Sequence, residues 1–238
     1  SLAFIDGNRT QNTFDLKLTG RFTLFDRSQQ ILIGANQQKQ EFANPYYGSL
    51  DEAPPLGDFR DKDFTYPTPR WSDEVLYGSW GETKQQAIYL ASDIELTDAL
   101  SMVIGGRIDN WETDQDNFGT VHDYEVDNEF TSYVGATYTI GQNVSLYANY
   151  TDIFTPQSRV QADGSYLDPV KGKNYEAGIK ASLFEEALDT SLSVFEIRQD
   201  NVGETTGETL PGTTVPIYRG IDGTKTQGFE FEANGAIN

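Results

Sequence analysis

Over 238 residues the chain carries 37 acidic and 17 basic side chains, a formal net charge of −20, with 37% hydrophobic residues and no cysteine. Affinity for phosphate backbones comes mainly from Lys and Arg, so this balance argues against nucleic acid; the lack of cysteine removes disulfides, thiolate zinc sites and cysteine nucleophiles. No run approaches the roughly 18–20 consecutive apolar residues of a membrane helix, and Ser1-Leu2-Ala3-Phe4-Ile5 has neither the basic region nor the apolar core of a signal peptide.

Alternation of apolar and polar residues predicts nine strands, at roughly 12–24, 30–42, 82–96, 100–112, 129–140, 143–154, 173–184, 188–199 and 225–237. No segment sustains apolar spacing at i, i+3, i+4 and i+7, so almost no helix is expected. The pattern is clearest over 143–184. There Val144, Leu146, Ala148 and Tyr150 share one face, and Asn143, Ser145, Asn149 and Thr151 the other. Tyr175, Ala177, Ile179, Ala181 and Leu183 likewise alternate with Asn174, Glu176, Lys180 and Ser182. Successive strand side chains point to opposite faces, so each run builds one apolar and one polar surface.

The connections alternate in length. Phe25-Asp26-Arg27-Ser28, Thr97-Asp98-Ala99, Gly141-Gln142 and Glu185-Glu186-Ala187 are tight turns, whereas 43–81, 113–128, 155–172 and 200–224 are long segments. That rhythm, with strands of ten or more residues and Tyr near their ends, is how a transmembrane β-barrel reads: short periplasmic turns, long extracellular loops, lipid on one face of each strand. The expected fold class is therefore all-β, an antiparallel transmembrane barrel segment. An open sheet leaves unpaired edges in lipid, and GFEFEANGAIN breaks off in mid-strand at Asn238, so residues 1–238 read as part of a larger barrel, truncated at both ends.

YTDIFTPQ (150–157), LDPVKGKNYEAGIKASLF (167–184), LDTSLSVFEIRQDNV (188–202) and DGTKTQGFEFEANG (222–235) together resemble the TonB-dependent siderophore receptors, particularly the ferric-hydroxamate and pyoverdine-type group. The resemblance covers about 143–237; residues 1–142 carry weaker motifs. It implies a 22-stranded barrel around a plug, of which about nine strands are present here and the plug and TonB box are not. It also implies a bacterial outer-membrane location and uptake of a ferric siderophore powered by the TonB-ExbB-ExbD complex through the plug. The surroundings are outer-membrane lipid, there is no enzymatic chemistry, and the protein has no cofactor of its own, iron entering only inside the ligand.

Within that frame the segment 43–81 is the expected ligand surface. It carries Tyr46, Tyr47, Tyr66, Trp71, Tyr77 and Trp80 as aromatic walls, with Arg60 and Arg70 to pair with an anionic chelate. Trp71, beside Arg70, is the first choice for contact, while Trp80 and Trp111 read as rim residues. Arg159 and Lys171 are further offsets to the acidic balance. Asp114, Asp116, Gly119 and Glu125 fall at EF-hand positions, but Phe118 occupies a ligating position and strands flank the loop, so a solvated acidic loop is expected and no metal site. With His122 the only histidine, no His-based metal site or Ser-His-Asp triad is available. Gly178 and Gly228 lie inside strands, where they fit either contact with a plug or barrel curvature. Glu176, Lys180, Glu230 and Glu232 fall on the polar face. Two other readings compete: a secreted or surface β-sandwich binding module, opposed by strand length and loop rhythm, and a passive porin sharing the barrel.

Overall fold

The computed structural model describes residues 2–52, 68–185 and 187–235. In chain order the strands are β1 (Ala3–Ile5), β2 (Asn8–Leu24), β3 (Arg27–Ser49), β4 (Trp71–Glu95), β5 (Leu100–Asn117), β6 (Thr120–Ile140), β7 (Val144–Thr155), β8 (Val170–Leu183), β9 (Leu188–Asp200), β10 (Val202–Thr209), β11 (Pro216–Ile221) and β12 (Lys225–Gly235); there is no helix among the described residues. One ten-stranded sheet takes the order β1-β3-β4-β5-β6-β7-β8-β9-β12, with β2 also on β3, and β10–β11 form a separate hairpin.

All nine expected strands are found, and several are longer than the alternation implied. The segment 113–128 is not a long loop: β5 and β6 run on to a tip at Phe118-Gly119. Similarly, 43–81 is strand up to Ser49 and again from Trp71, and 200–224 holds β10 and β11. The extensions mix polar residues with scattered aromatic ones, and where the period of two does appear, with buried Tyr124 and Val126 between exposed Asp123, Glu125 and Asp127, it is short.

Phe184 and Glu185 (φ 56° and 56°) open the longer turn between β8 and β9 with left-handed backbone. Two tighter turns consist of two such residues alone, Phe25-Asp26 (57° and 57°) and Phe118-Gly119 (56° and 85°). Turns of that hand match the right-handed twist of the flanking strands, which is why two residues suffice. At the end of β4, Gln29 acts as a piece of backbone: its amide nitrogen donates to the Leu24 and Glu95 carbonyls (2.9 and 3.1 Å), and its oxygen accepts from the Glu95 amide (2.6 Å).

The chain divides into two compact units, one of Ser1–Thr13, Gln38–Lys84 and Glu112–Glu125, the other of Phe14–Gln37, Gln85–Trp111 and Val126–Asn238. In the second, antiparallel register lines residues up across β6, β7, β8, β9 and β12. On one face the rows read Ile140-Val144-Ala181-Thr190-Ala233, then Tyr138-Leu146-Ile179-Leu192-Phe231, then Ala136-Ala148-Ala177-Val194-Phe229. The next row, Val134-Tyr150-Tyr175-Glu196-Gln227, is where polarity begins. The opposite face reads Thr139-Ser145-Lys180-Ser191-Glu232 and Thr137-Tyr147-Gly178-Ser193-Glu230.

The apolar rows are not a core. Leu192 is 46% exposed and Phe231 66%. An apolar face of this extent in water would be an aggregation surface; facing hydrocarbon it is satisfied. From Leu183 to Tyr175, opposite ends of the apolar run on β8, is about 26 Å along the strand. At a barrel tilt of about 40° that is about 20 Å of depth, close to the ~25 Å apolar band of outer-membrane barrels. The Tyr150 and Tyr175 rings, 5.1 Å apart, sit where such a band ends.

Gly178 and Gly228 have a further reason to be glycine. Tyr147 on β7 lies across Gly178, and Phe195 on β9 lies across Gly228; a Cβ at either glycine would fall 2.6 Å from the ring. Each glycine is the seat of a neighbouring aromatic, a device that covers backbone otherwise bare of side chain. The two differ in tolerance. A Cβ at Gly178 would also meet the Leu192 carbonyl oxygen at 2.8 Å, whereas Gly228 meets only the Phe195 ring. Gly178→Ala should therefore cost about 1–3 kcal/mol, read as a lower urea midpoint of the intact protein in detergent. Gly228→Ala should cost less and be restored by Phe195→Leu. Equal losses at both sites, with no rescue, would refute this account.

Candidate functional site

The aromatic residues of 43–81 separate into two groups, both within the unit formed by Ser1–Thr13, Gln38–Lys84 and Glu112–Glu125. Tyr46 and Tyr47 are consecutive in β3, so their side chains leave opposite faces of the sheet and cannot serve one site. Tyr46 stacks on Tyr77 of β4, with centroids 4.9 Å apart and planes 28° from parallel. Phe118, at the β5–β6 tip, stands edge-on to both, at 5.3 Å from Tyr46 and 5.7 Å from Tyr77. The tip is held there by backbone, the Phe118 amide donating to the Gly78 carbonyl at 3.1 Å. The second group is Phe4, Tyr47 and Trp71: Phe4 lies 6.1 Å from Tyr47 and 5.7 Å from Trp71.

Several expectations change. Trp71 is the first residue of β4 rather than a mid-loop residue, and its ring lies against Phe4. Trp80 is also in β4, with its ring against Gly78. Arg60 and Tyr66 lie outside the described residues. Phe118 and Phe4 were not singled out from the sequence. The Phe118-Gly119 dipeptide, with its turn propensity, was the available signal for the first. Nothing local marks Phe4, which reaches Tyr47 only through the β1–β3 pairing.

Arg70 is paired with Asp51 while its side chain stays 78% exposed. Its Nε and a terminal nitrogen donate to one Asp51 oxygen at 3.0 and 2.7 Å, and its backbone amide donates to the other at 2.6 Å. The Leu50 amide donates to the Arg70 carbonyl at 2.9 Å, so the two chain ends of 52–69 are tied together. The side-chain hydrogen bond from Arg70, then its backbone amide, holds the Asp51 carboxyl below its ordinary 3.8. The described lysines of this unit are engaged too: Lys39 contacts Glu41 and Glu82, both at 2.8 Å, and Lys84 contacts Glu82 at 2.7 Å. In the other unit Lys171 pairs with Glu129 at 2.8 Å, while Arg159 donates to the Tyr218 hydroxyl at 2.8 Å and lies 4.6 Å from that ring. The acidic residues of 113–128 are spread along two strands and form no cage. Asp116 instead accepts from the Gly119 amide at 2.6 Å, and no cluster of three or more His, Cys, Asp or Glu suits a metal among the described residues.

Long antiparallel strands joined by tight turns, with continuous exposed apolar rows on one face, define the class: an outer-membrane β-barrel. A family described as TonB dependent receptor-like, beta-barrel matches residues 2–238. The chain belongs to this family, which consists of receptors rather than enzymes. The ferric-pyoverdine 358 receptor of Pseudomonas putida is 31% identical over 100% of this chain and 29% of its own length. The ferrichrome outer membrane transporter/phage receptor of Escherichia coli is 25% identical over 98% of the chain and 31% of its own length. Among solved structures, the ferripyoverdine receptor of the outer membrane of Pseudomonas aeruginosa bound to ferripyoverdine superposes with a TM-score of 0.85 at 30% identity, over 99% of this chain and 32% of that one. The chain thus spans about a third or less of the proteins it matches.

Because Asp51 has a lowered pKa, the Asp51–Arg70 tie is complete above pH 4 and is lost as pH falls through the lowered value. Amide protection factors at Leu50 and Arg70 should follow that titration in the native protein. In Asp51→Asn they should be low at every pH. A flat profile in the native protein, or full protection in the variant, would contradict the tie.

Proposed function

We propose that this chain is part of an outer-membrane receptor that captures a ferric siderophore and imports it with energy from the TonB-ExbB-ExbD complex. The observation that carries the reading is its relationship, along the whole of the chain, to receptors named for ferric pyoverdine and ferrichrome. In this proposal residues 1–238 supply part of a 22-stranded barrel. The apolar rows meet membrane lipid, and a plug carried elsewhere in the protein couples to TonB. The protein contributes no metal ligand, iron arriving already chelated. A passive porin would share the barrel but not this family relationship, and a β-sandwich would need a second packed sheet where ten strands here form one.

Within this chain the Tyr46–Tyr77–Phe118 group is our candidate for ligand contact. Tyr77 and Phe118 are 48% and 54% exposed while packed on one another. They form a pre-organised aromatic wall that presents ring faces and edges to a chelate without ordering cost at binding. Tyr47 and Trp71 belong to the other group and serve packing of β1 on β3.

Tryptophan fluorescence of the detergent-purified protein, titrated with a panel of ferric siderophores and iron-free controls, tests this. The double change Tyr46→Ala, Tyr77→Ala should raise Kd by about tenfold or more, the loss of about 1.4 kcal/mol being within what a stacked aromatic pair contributes. Trp71→Phe should leave Kd nearly unchanged. The opposite pattern would move the site to the Phe4–Trp71 group. No saturable response to any ferric chelate would overturn siderophore capture.

A further inference from the structure

In the unit of Ser1–Thr13, Gln38–Lys84 and Glu112–Glu125 the charged side chains are sorted by face. Phe42, Asn44 and Tyr46 alternate onto one side of β3, and Tyr77, Ser79, Gly81 and Thr83 onto the matching side of β4. The Tyr46–Tyr77 stack and an Asn44–Ser79 hydrogen bond of 3.3 Å join the two sets, and Thr83 meets Thr113 of β5 at 3.0 Å. Lys39, Glu41, Glu82, Lys84 and Glu112 leave by the other side, where they form one chain of ion pairs. Asp114 and Asp116 alternate with Thr113 and Gln115 and so point the same way as Glu112.

Over residues 7–13, 38–46, 77–84 and 112–117 the aromatic face keeps a single charged side chain, Arg9 of β2. Its guanidinium carbon lies 6.0 Å from the centre of the Phe42 ring, a cation–π distance. One alternation away, Gly7 lies under Asn44, whose Oδ1 would stand 2.7 Å from a Cβ placed there. Phe42, Asn44 and Tyr46 thus lead from Arg9 to the aromatic wall over about 14 Å of strand. The other described cations of the unit, Lys39, Arg70 and Lys84, each meet a carboxylate. Arg9 has none within ion-pair distance among the described residues. A guanidinium without a counter-charge, in a chain of net charge −20, is a ready partner for an anion.

The rest of this face offers hydrogen bonds without charge. Thr113 gives its proton to the Glu82 carbonyl at 3.2 Å, so its oxygen accepts from both Gln115, at 2.8 Å, and Thr83. Gln115 lies across Gly81, its Cγ 2.6 Å from where a Cβ would stand, and the bond to Thr113 fixes which end of its amide is the nitrogen. One cation among amides and hydroxyls matches a ligand with one anionic group and an otherwise uncharged surface. A polyanionic chelate would bring further charges to a face with no cation for them, on a chain that repels them.

We propose that Arg9 is the charge-selecting residue of this receptor. It pairs with a single peripheral carboxylate of a ferric chelate whose remaining surface, of amide and hydroxamate groups, lies on the Tyr46–Tyr77–Phe118 wall and its neutral flank. A planar guanidinium suits a carboxylate through two parallel N–H···O bonds. The inference rests on the siderophore-receptor reading and adds the charge of the ligand to it.

The test titrates the intact, detergent-purified protein with two forms of one linear ferric tris-hydroxamate, ending in a free carboxylate or in the corresponding primary amide, and follows tryptophan quenching. The native protein should bind the carboxylate form about tenfold tighter at low salt, and the ratio should shrink as salt is raised. Arg9→Gln should abolish the preference while leaving Kd of the amide form unchanged, a pattern that a folding defect does not imitate. Arg9→Lys, which keeps the charge without the fork, should keep part of the preference, and Lys39→Gln, on the other face, all of it. A native ratio retained in Arg9→Gln, or a native protein that binds both forms alike, would overturn this inference and leave the receptor reading intact. Binding of neither form by a protein that still responds to another ferric chelate would do the same. Silence toward every ferric chelate would overturn the receptor reading and this inference together.

Discussion

The structure depends on one constraint: backbone amides facing hydrocarbon must be paired within the sheet, and side chains must alternate between lipid and water while that pairing is kept. In-register pairing converts a two-residue period along each strand into continuous rows across strands. The same register that sets Leu146, Ile179, Leu192 and Phe231 side by side sets Tyr147, Gly178, Ser193 and Glu230 side by side on the other face. A one-residue slip of any strand would put Glu230 or Lys180 into the apolar band and Phe231 or Ile179 onto the polar face. The net charge of −20 is compatible with lipid exposure because only one face of each strand meets lipid.

Away from the apolar rows the strands continue, and what holds them changes. The extensions of β3, β4, β5 and β6 bury few apolar side chains, Tyr124 and Val126 of β6 among them. They are held by ladder hydrogen bonds, by ion pairs such as Lys39–Glu82 and Lys84–Glu82, and by the two aromatic groups. The Tyr46–Tyr77–Phe118 group thus has a packing role along with the recognition role proposed for it. The exposed ring area shows that packing does not use it fully.

How much of this could be read from sequence follows from the physics. The strands through the apolar band were legible, since one buried face writes a period of two into Val144–Tyr150 and Tyr175–Leu183. The hairpin of 113–128 was not, because its periodic contrast is short: Tyr124 and Val126 are buried between exposed Asp123 and Glu125, while Asp114, Asp116 and Gly119 read as loop. β10, rich in Thr and Gly, and the six-residue β11 are too short to carry a clear alternation. Within the candidate site the residue types were legible and the grouping was not. Tyr46 and Tyr47 look equivalent in sequence, and only strand geometry sends them to opposite faces. The pairing of Arg70 with Asp51, 19 residues earlier, is likewise invisible in the sequence. Arg9 reaches Phe42 only through the pairing of β2 with β3.

The most direct test of the lipid-facing register uses the lack of native cysteine. Single cysteines placed at each position from Asn174 to Leu183 in the intact protein, spin-labelled and reconstituted in bilayers, report collision with oxygen, which concentrates in lipid, and with a polar nickel complex, which stays in water. Oxygen collisions should peak at Tyr175, Ala177, Ile179, Ala181 and Leu183, and nickel collisions at the even positions between them. A profile without that two-residue alternation, or with its phase reversed, would contradict the assignment of faces on which the membrane-barrel account rests.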